Sequence, residues 1–113
     1  MTFSINSQND ITEEFLMSLL CSAGEARSSV MAAMASAQKG DFEQASLFID
    51  TADKALTEVH KTQTTLIGYD EGVGKVNMTL ILTHIQDHIM TAMLCKDLAL
   101  EIIAIHRKLG DLK

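Results

Sequence analysis

Two histidines and an aspartate stand together in the most apolar part of this sequence. His84, Asp87 and His88 belong to the run His-Ile-Gln-Asp-His, with apolar residues on both sides of it. At about 100° per residue in a helix, His84 and His88 fall on one face and Asp87 flanks His84 one turn on. An unpaired charge in an apolar setting costs several kcal/mol. We therefore expect this polar group to have a function.

A nucleophilic histidine is one chemistry that suits these residues. Neutral imidazole presents a free lone pair near neutral pH, because its ordinary pKa is about 6.5. That lone pair can attack a phosphoryl donor and form a P–N bond. A hydrogen-bond donor close by, on His88 or Gln86, would hold the phosphoryl oxygens. No nucleotide is required if the donor is another phosphoprotein.

Two other interpretations compete with this one. His-x-x-Asp-His superficially resembles the inverted zinc-peptidase motif His-x-x-Glu-His, and His60 or His106 could supply a further zinc ligand. The side chain of Asp87 is, however, shorter than the catalytic glutamate of that motif. A helical bundle this small also offers no substrate cleft. The second alternative is a scaffold or adaptor without chemistry, whose polar residues form a structural layer. It accounts for Gln63 and His60 but leaves the charge of Asp87 unexplained.

Helices must position these residues, because the sequence has no proline and few glycines. We predict a flexible tail over residues 1–10 and a single domain over residues 11–113. The first helix begins near Asp10 or Thr12 and ends at Lys39 and Gly40. Asp41 caps the second helix, which ends at Gly68 or Tyr69. The third is predicted over residues 75–108, ending near Leu109.

The hydrophobic pattern predicts how these helices pack. In the second helix, apolar positions recur at alternating spacings of three and four, with Gln63 as the one polar member; they are Phe42, Ala45, Ile49, Ala52, Leu56, Val59, Gln63 and Leu66. The third helix is apolar on almost every side, so it needs burial all round. We therefore predict an all-α, antiparallel three-helix bundle that associates with copies of itself.

Composition excludes several classes of function. The net charge of −6 is wrong for a nucleic-acid binder. No apolar run is long enough to insert into a membrane, and no signal peptide is apparent, so we expect a cytoplasmic protein. Gly74 and Lys75 lack the other residues of a phosphate-binding loop. Cys21 and Cys95 are expected to be buried small side chains without a disulfide.

Longer stretches of the sequence resemble a known family. Residues 83–91 (Thr-His-Ile-Gln-Asp-His-Ile-Met-Thr), followed by residues 94–98, resemble the signature of enzyme IIA of the lactose/cellobiose class of the sugar phosphotransferase system. Ile85 and Ile89 are mild departures from its His-(Ala/Gly)-Gln-Asp-His-Leu-Met core. Residues 23–28, 40–42 and 58–64 match the family too. The resemblance spans nearly the whole chain beyond the tail.

The resemblance implies a homotrimer that forms a nine-helix bundle and acts as a phosphotransferase component. His84 would be phosphorylated, through Nε2, by the phosphocarrier protein HPr and would pass the phosphoryl group to a cysteine of enzyme IIB. His88 would hydrogen-bond the phosphoryl group, with Gln86 nearby. Asp87 would face the threefold axis and bind a divalent cation such as Mg²⁺ together with its two symmetry copies. Residues 66–75 and the tail resemble the cellobiose/chitobiose branch more than the lactose branch.

Overall fold

Three long helices form an elongated bundle of 58 × 22 × 20 Å. The computed structural model describes residues 4–112. After a short 3₁₀ turn (Gln8–Asp10), the helices are α1 (Glu13–Gln38), α2 (Phe42–Asp70) and α3 (Leu80–Asp111), and the described residues include no strand. Short connections make α2 antiparallel to both neighbours. The predicted all-α three-helix bundle is confirmed.

A side chain caps the start of each long helix. The backbone N–H of Phe15 donates to Thr12 Oγ1 at 3.0 Å, and that of Gln44 donates to Asp41 Oδ1 at 3.1 Å. Both caps agree with the prediction. For α3, the backbone N–H of Leu82 donates to Thr79 Oγ1 at 3.2 Å. Each bond satisfies a donor that the first helical turn leaves without an intrahelical partner.

The prediction that the third helix begins at residue 75 is wrong, because α3 begins at Leu80. The preceding backbone is held by side chains from elsewhere: the Val76 N–H donates to Asp70 Oδ1 at 2.9 Å, and the Asn77 N–H to Gln8 Oε1 at 2.8 Å. These acceptors hold residues 76 and 77 outside the helix, and Thr79 then caps it. The connector turns through Glu71, whose φ is 54°.

Small side chains from α1 let the three helices approach closely. Ala23, Ala26 and Ala33 are fully buried. All eight predicted positions of the α2 seam are buried or half-buried. Phe15, near the start of α1, is buried as well. The prediction that Cys21 is buried is wrong, because it lies on the exposed side of α1, whereas Cys95 is half-buried.

The start of the chain packs against the bundle where the structure describes it. Ile5 and Ile11 contact the main apolar cluster, and Gln8 accepts the hydrogen bond from Asn77. Residues 1–3 of the predicted tail, and residue 113 of the predicted domain, lie outside the described residues. The flexibility of the tail stays a prediction.

One side of α3 carries an exposed apolar stripe, which we call the α3 stripe. Its apolar members are 54–88% exposed, and Asp87 lies in the middle; the stripe consists of Leu80, Asp87, Leu94, Leu98 and Ile105. Asp87 follows Leu80 by seven residues and precedes Leu94 by seven, the spacing of a helix–helix seam.

No helix within residues 4–112 combines the length and the hydropathy that a membrane span needs.

Candidate functional site

His84 and His88 lie side by side near the N-terminal end of α3. Their ring centroids are 4.5 Å apart and the ring planes meet at 78°, an edge-to-face arrangement. His84 is exposed and His88 is half-buried. The helix brings them together because residues four apart are neighbours on one face. The structure thus joins these two predicted site residues.

This pair suits transfer of a phosphoryl group to and from another protein. The exposed His84 ring is accessible to a donor arriving from solvent, and its nitrogen lone pair supplies the nucleophile. A phosphoryl group on His84 carries negative charge and presents only acceptor oxygens. An imidazole N–H of His88, one turn away, is the kind of donor that stabilises such a group.

Gln86 lies on a different side of α3 from His84, about 200° round the helix. Its side-chain oxygen accepts a hydrogen bond from Gln63 Nε2 on α2. Gln63 Nε2 also lies 3.6 Å from Met90 Sδ. Within one chain, therefore, the structure brings Gln86 together with Gln63 and not with His84. Gln63 was predicted only as a polar member of the α2 seam.

Asp87 is exposed in the single chain. Its backbone carbonyl accepts a hydrogen bond from Thr91 Oγ1 at 2.9 Å, and its carboxylate forms no ion pair within residues 4–112. Residues 4–112 contain no group of three His, Cys, Asp or Glu side chains that could hold a metal ion within one chain. Asp87 is therefore a single carboxylate that belongs to no such group among the described residues.

The other two histidines line separate grooves. His60 lines a groove of about 150 Å³ between α2 and α3, beside Lys96 and Asp53, whose charged groups are 2.7 Å apart. His106 lines another groove near the end of α3, beside Phe42 and Gly40. The structure does not gather these histidines around His84, as a zinc-hydrolase interpretation requires.

A model of the lactose/cellobiose-specific IIA subunit of the phosphotransferase system matches residues 14–107, which include all of α2 and the His84–His88 pair. The chain belongs to this family. The chain is therefore a phosphotransferase component in sugar transport. The resemblance noted in the motif around His84 is confirmed.

Curated relatives agree with the family assignment. The chain is 45% identical over 97 residues to the N,N'-diacetylchitobiose-specific EIIA component of Escherichia coli strain K12, covering 86% of this chain and 84% of that one. It is 40% identical over 103 residues to the lichenan-specific IIA component of Bacillus subtilis, covering 91% and 94%. A lactose-specific EIIA component of Streptococcus mutans is 34% identical over 86 residues, covering 76% and 83%.

Solved structures share the fold of this family member. The cellobiose-specific enzyme IIA of Bacillus anthracis superposes with a TM-score of 0.83 at 32% identity, covering 95% of this chain and 94% of that one. The IIA component in a complex of IIA(Chitobiose) with HPr, from Escherichia coli, gives 0.75 at 44% identity, covering 87% and 95%.

Proposed function

We propose that this chain is a phosphoryl carrier that accepts phosphate on His84 from phosphorylated HPr and passes it to a cysteine of its enzyme IIB. The exposure of the His84 ring is the observation that carries this proposal, because a donor residue on another protein reaches only an imidazole open to solvent. In the first step the phosphorus–nitrogen bond of the donor breaks as a bond to His84 Nε2 forms. In the second step that bond breaks as a phosphorus–sulfur bond forms.

His88 supports both steps without forming a bond to phosphorus. Its ring lies 4.5 Å from that of His84, centroid to centroid, within the reach of a hydrogen bond to a phosphoryl group on the neighbouring ring. A donor held by the helix needs no reorganisation at the moment of transfer. We assign His88 to orienting the phosphoryl group and spreading its charge.

The proposed partners follow from the family. A relative of this chain has been solved as a IIA(Chitobiose)–HPr complex, which supports HPr as the donor. Enzyme IIB is the expected acceptor in a system that contains a IIA component. We place the carrier in the cytoplasm with these partners; two free cysteines are consistent with a reducing compartment.

The sugar of this system is proposed to be a β-disaccharide of the cellobiose/chitobiose type. The chain is 45% identical to a chitobiose-specific component and 34% identical to a lactose-specific one. This assignment names the transport system to which the carrier belongs. It does not describe a sugar site on this chain.

Self-association into a homotrimer would cover the α3 stripe. Exposed apolar side chains at heptad spacing are the pattern by which parallel helices pack around a common axis. In the trimer each chain would contribute α3 to the centre, giving the nine-helix bundle that the family resemblance implies. The stripe extends over about seven turns of α3, from Leu80 to Ile105.

Asp87 would then meet its two symmetry copies on the axis. One chain supplies one carboxylate at the centre of the α3 stripe, so a threefold assembly supplies three. Three like charges in an apolar core require protonation or a cation, and carboxylate oxygens are suitable ligands for a divalent cation such as Mg²⁺. We propose that Asp87 holds this cation and that its role is in assembly.

The same symmetry would bring Gln86 of one chain close to His84 of a neighbouring chain. Measured round α3, His84 lies about 60° to one side of the α3 stripe and Gln86 about 100° to the other. When three stripes meet on an axis, the His84 edge of each α3 faces the Gln86 edge of the next. We therefore propose that Gln86 serves the phosphoryl group on His84 of an adjacent subunit.

A labelling experiment tests the proposed function. The wild-type chain is incubated with labelled phosphoenolpyruvate, enzyme I and HPr, and should acquire acid-labile phosphohistidine. His84→Ala should acquire none, while His60→Ala, a histidine in a separate groove, should be labelled like the wild type. A scaffold without chemistry predicts no label on any variant. Label retained by a folded His84→Ala variant would overturn the assignment.

A further inference from the structure

The buried side-chain amide of Gln63, on α2, contacts Gln86 on α3. Gln63 is 7% exposed, and it is the one buried polar side chain among residues 4–112. Its neighbours along the α2 seam are apolar, and its Nε2 atom donates to Gln86 Oε1 across the α2–α3 interface. Burial of an amide costs free energy unless its hydrogen bonds are formed. This pair is therefore a fixed contact between the two helices.

The sulfur of Met90 determines which way the Gln63 amide faces. Gln63 Nε2 lies 3.6 Å from Met90 Sδ as well as bonding Gln86. A thioether sulfur accepts hydrogen bonds and donates none. Both contacts therefore select the orientation that directs the NH₂ group of Gln63 towards α3. The opposite orientation would place the Gln63 oxygen, an acceptor, against two other acceptors, the Met90 sulfur and the Gln86 oxygen.

This arrangement fixes the Gln86 amide in turn. Its oxygen is occupied by Gln63, so its own NH₂ group points away from the α2 seam. None of the hydrogen bonds within residues 4–112 uses Gln86 Nε2 as a donor. Gln86 instead lines a groove of about 260 Å³ beside Met78 and Ile67, both exposed. The two N–H bonds remain available to an acceptor outside the chain.

We propose that Gln63 is a positioning residue for phosphoryl transfer, which holds the Gln86 amide with its NH₂ group directed outward to the phosphoryl oxygens. This rests on the proposed function, in which Gln86 serves His84 of an adjacent subunit. Phosphoryl oxygens only accept hydrogen bonds, so a Gln86 amide turned the other way would present its oxygen to like charge. A donor fixed beforehand stabilises charge in the transition state more than one that must first rotate.

Single-turnover transfer from phosphorylated HPr tests this inference. Gln63→Leu removes the N–H donor that orients Gln86 and leaves an apolar side chain in the α2 seam. Gln63→Met also removes this donor, and the methionine side chain is closer in length to glutamine. We expect either variant to slow transfer at saturating donor by about tenfold, the effect of one hydrogen bond to a charged group. The concentration of phosphorylated HPr that gives half the maximal rate should be unchanged. Gln86→Leu should slow transfer equally, and the Gln63→Leu/Gln86→Leu double variant no further.

Control variants separate positioning from packing. Leu56→Ala removes a buried side chain from the same seam and should lower stability without changing the transfer rate per folded trimer. Wild-type transfer rates in folded Gln63→Leu and Gln63→Met trimers would overturn the inference. So would a double variant whose loss of rate equals the product of the losses in the two single variants. Failure of the proposed function is distinguishable, because the wild-type chain would then remain unlabelled.

Discussion

His84 and His88 lie one turn apart on α3, ring edge against ring face, with their centroids 4.5 Å apart. The helix backbone places the two side chains on one face because they are four residues apart. His84 is the more exposed of the two. The division of roles follows from that difference: the exposed ring meets the partner protein, and the half-buried ring supports what the first one carries.

Replacing His88 with Ala should slow phosphoryl transfer and leave acceptance possible. The variant keeps the nucleophile but loses a donor to the phosphoryl oxygens, which we expect to reduce the rate about 10- to 100-fold. Rapid-quench measurement of labelled chain after mixing with phosphorylated HPr gives this rate. His106→Ala, a change in a distant groove, is the matched control. An unaltered rate for His88→Ala would remove its supporting role.

Replacing Asp87 with Leu should keep the trimer and remove its dependence on divalent cations. The change exchanges a charge at the centre of the α3 stripe for an apolar side chain of similar size, which is often neutral or stabilising by about 1–4 kcal/mol. Calorimetry with and without a chelator measures this. We expect the chelator to lower the unfolding temperature of the wild type alone. The control is Asp50→Leu, on the exposed side of α2, which should remain sensitive to the chelator like the wild type. Dissociation of Asp87→Leu into monomers would show that the cation is essential.

Replacing Leu98 with Glu should dissociate the assembly. Three new carboxylates would be buried at one level of the α3 stripe, where no partner for them is expected, at a cost of several kcal/mol. Sedimentation equilibrium should then give the 12.4 kDa mass of one chain. Leu47→Glu changes a similarly exposed leucine of α2 (55% exposed, against 54% for Leu98) and should leave the assembly intact. A trimer that persists in Leu98→Glu would place the interface elsewhere.

Replacing Thr79 with Ala should destabilise the chain by about 1 kcal/mol, because the cap of α3 is lost. Thr79→Ser retains the hydroxyl and should recover most of this loss. Urea unfolding at one fixed protein concentration measures the difference, since stability of an oligomer depends on concentration. Thr65→Ala is the control, as Thr65 Oγ1 donates only to a carbonyl within its own helix. Equal stability of Thr79→Ala and the wild type would mean that water replaces the cap.

Local patterns predicted much of this structure correctly. The caps at Thr12 and Asp41, and the eight seam positions of α2, depend on residues close together in the sequence. So does the pairing of His84 with His88, which any helix through these residues produces. The start of α3 could not be found in this way, because Gln8 and Asp70 hold the backbone of residues 76 and 77 from other parts of the chain.

The sequence by itself therefore determined the three helices, the apolar seams and the pair of histidines on one face. Only the tertiary structure decided that Gln63 meets Gln86, 23 residues away on another helix, and which side of α3 remains exposed as the α3 stripe. The reason is physical. Periodicity within one helix fixes which residues share a face, but the rotation of that helix against its neighbours depends on packing the whole core, and this rotation selects the contacts between helices.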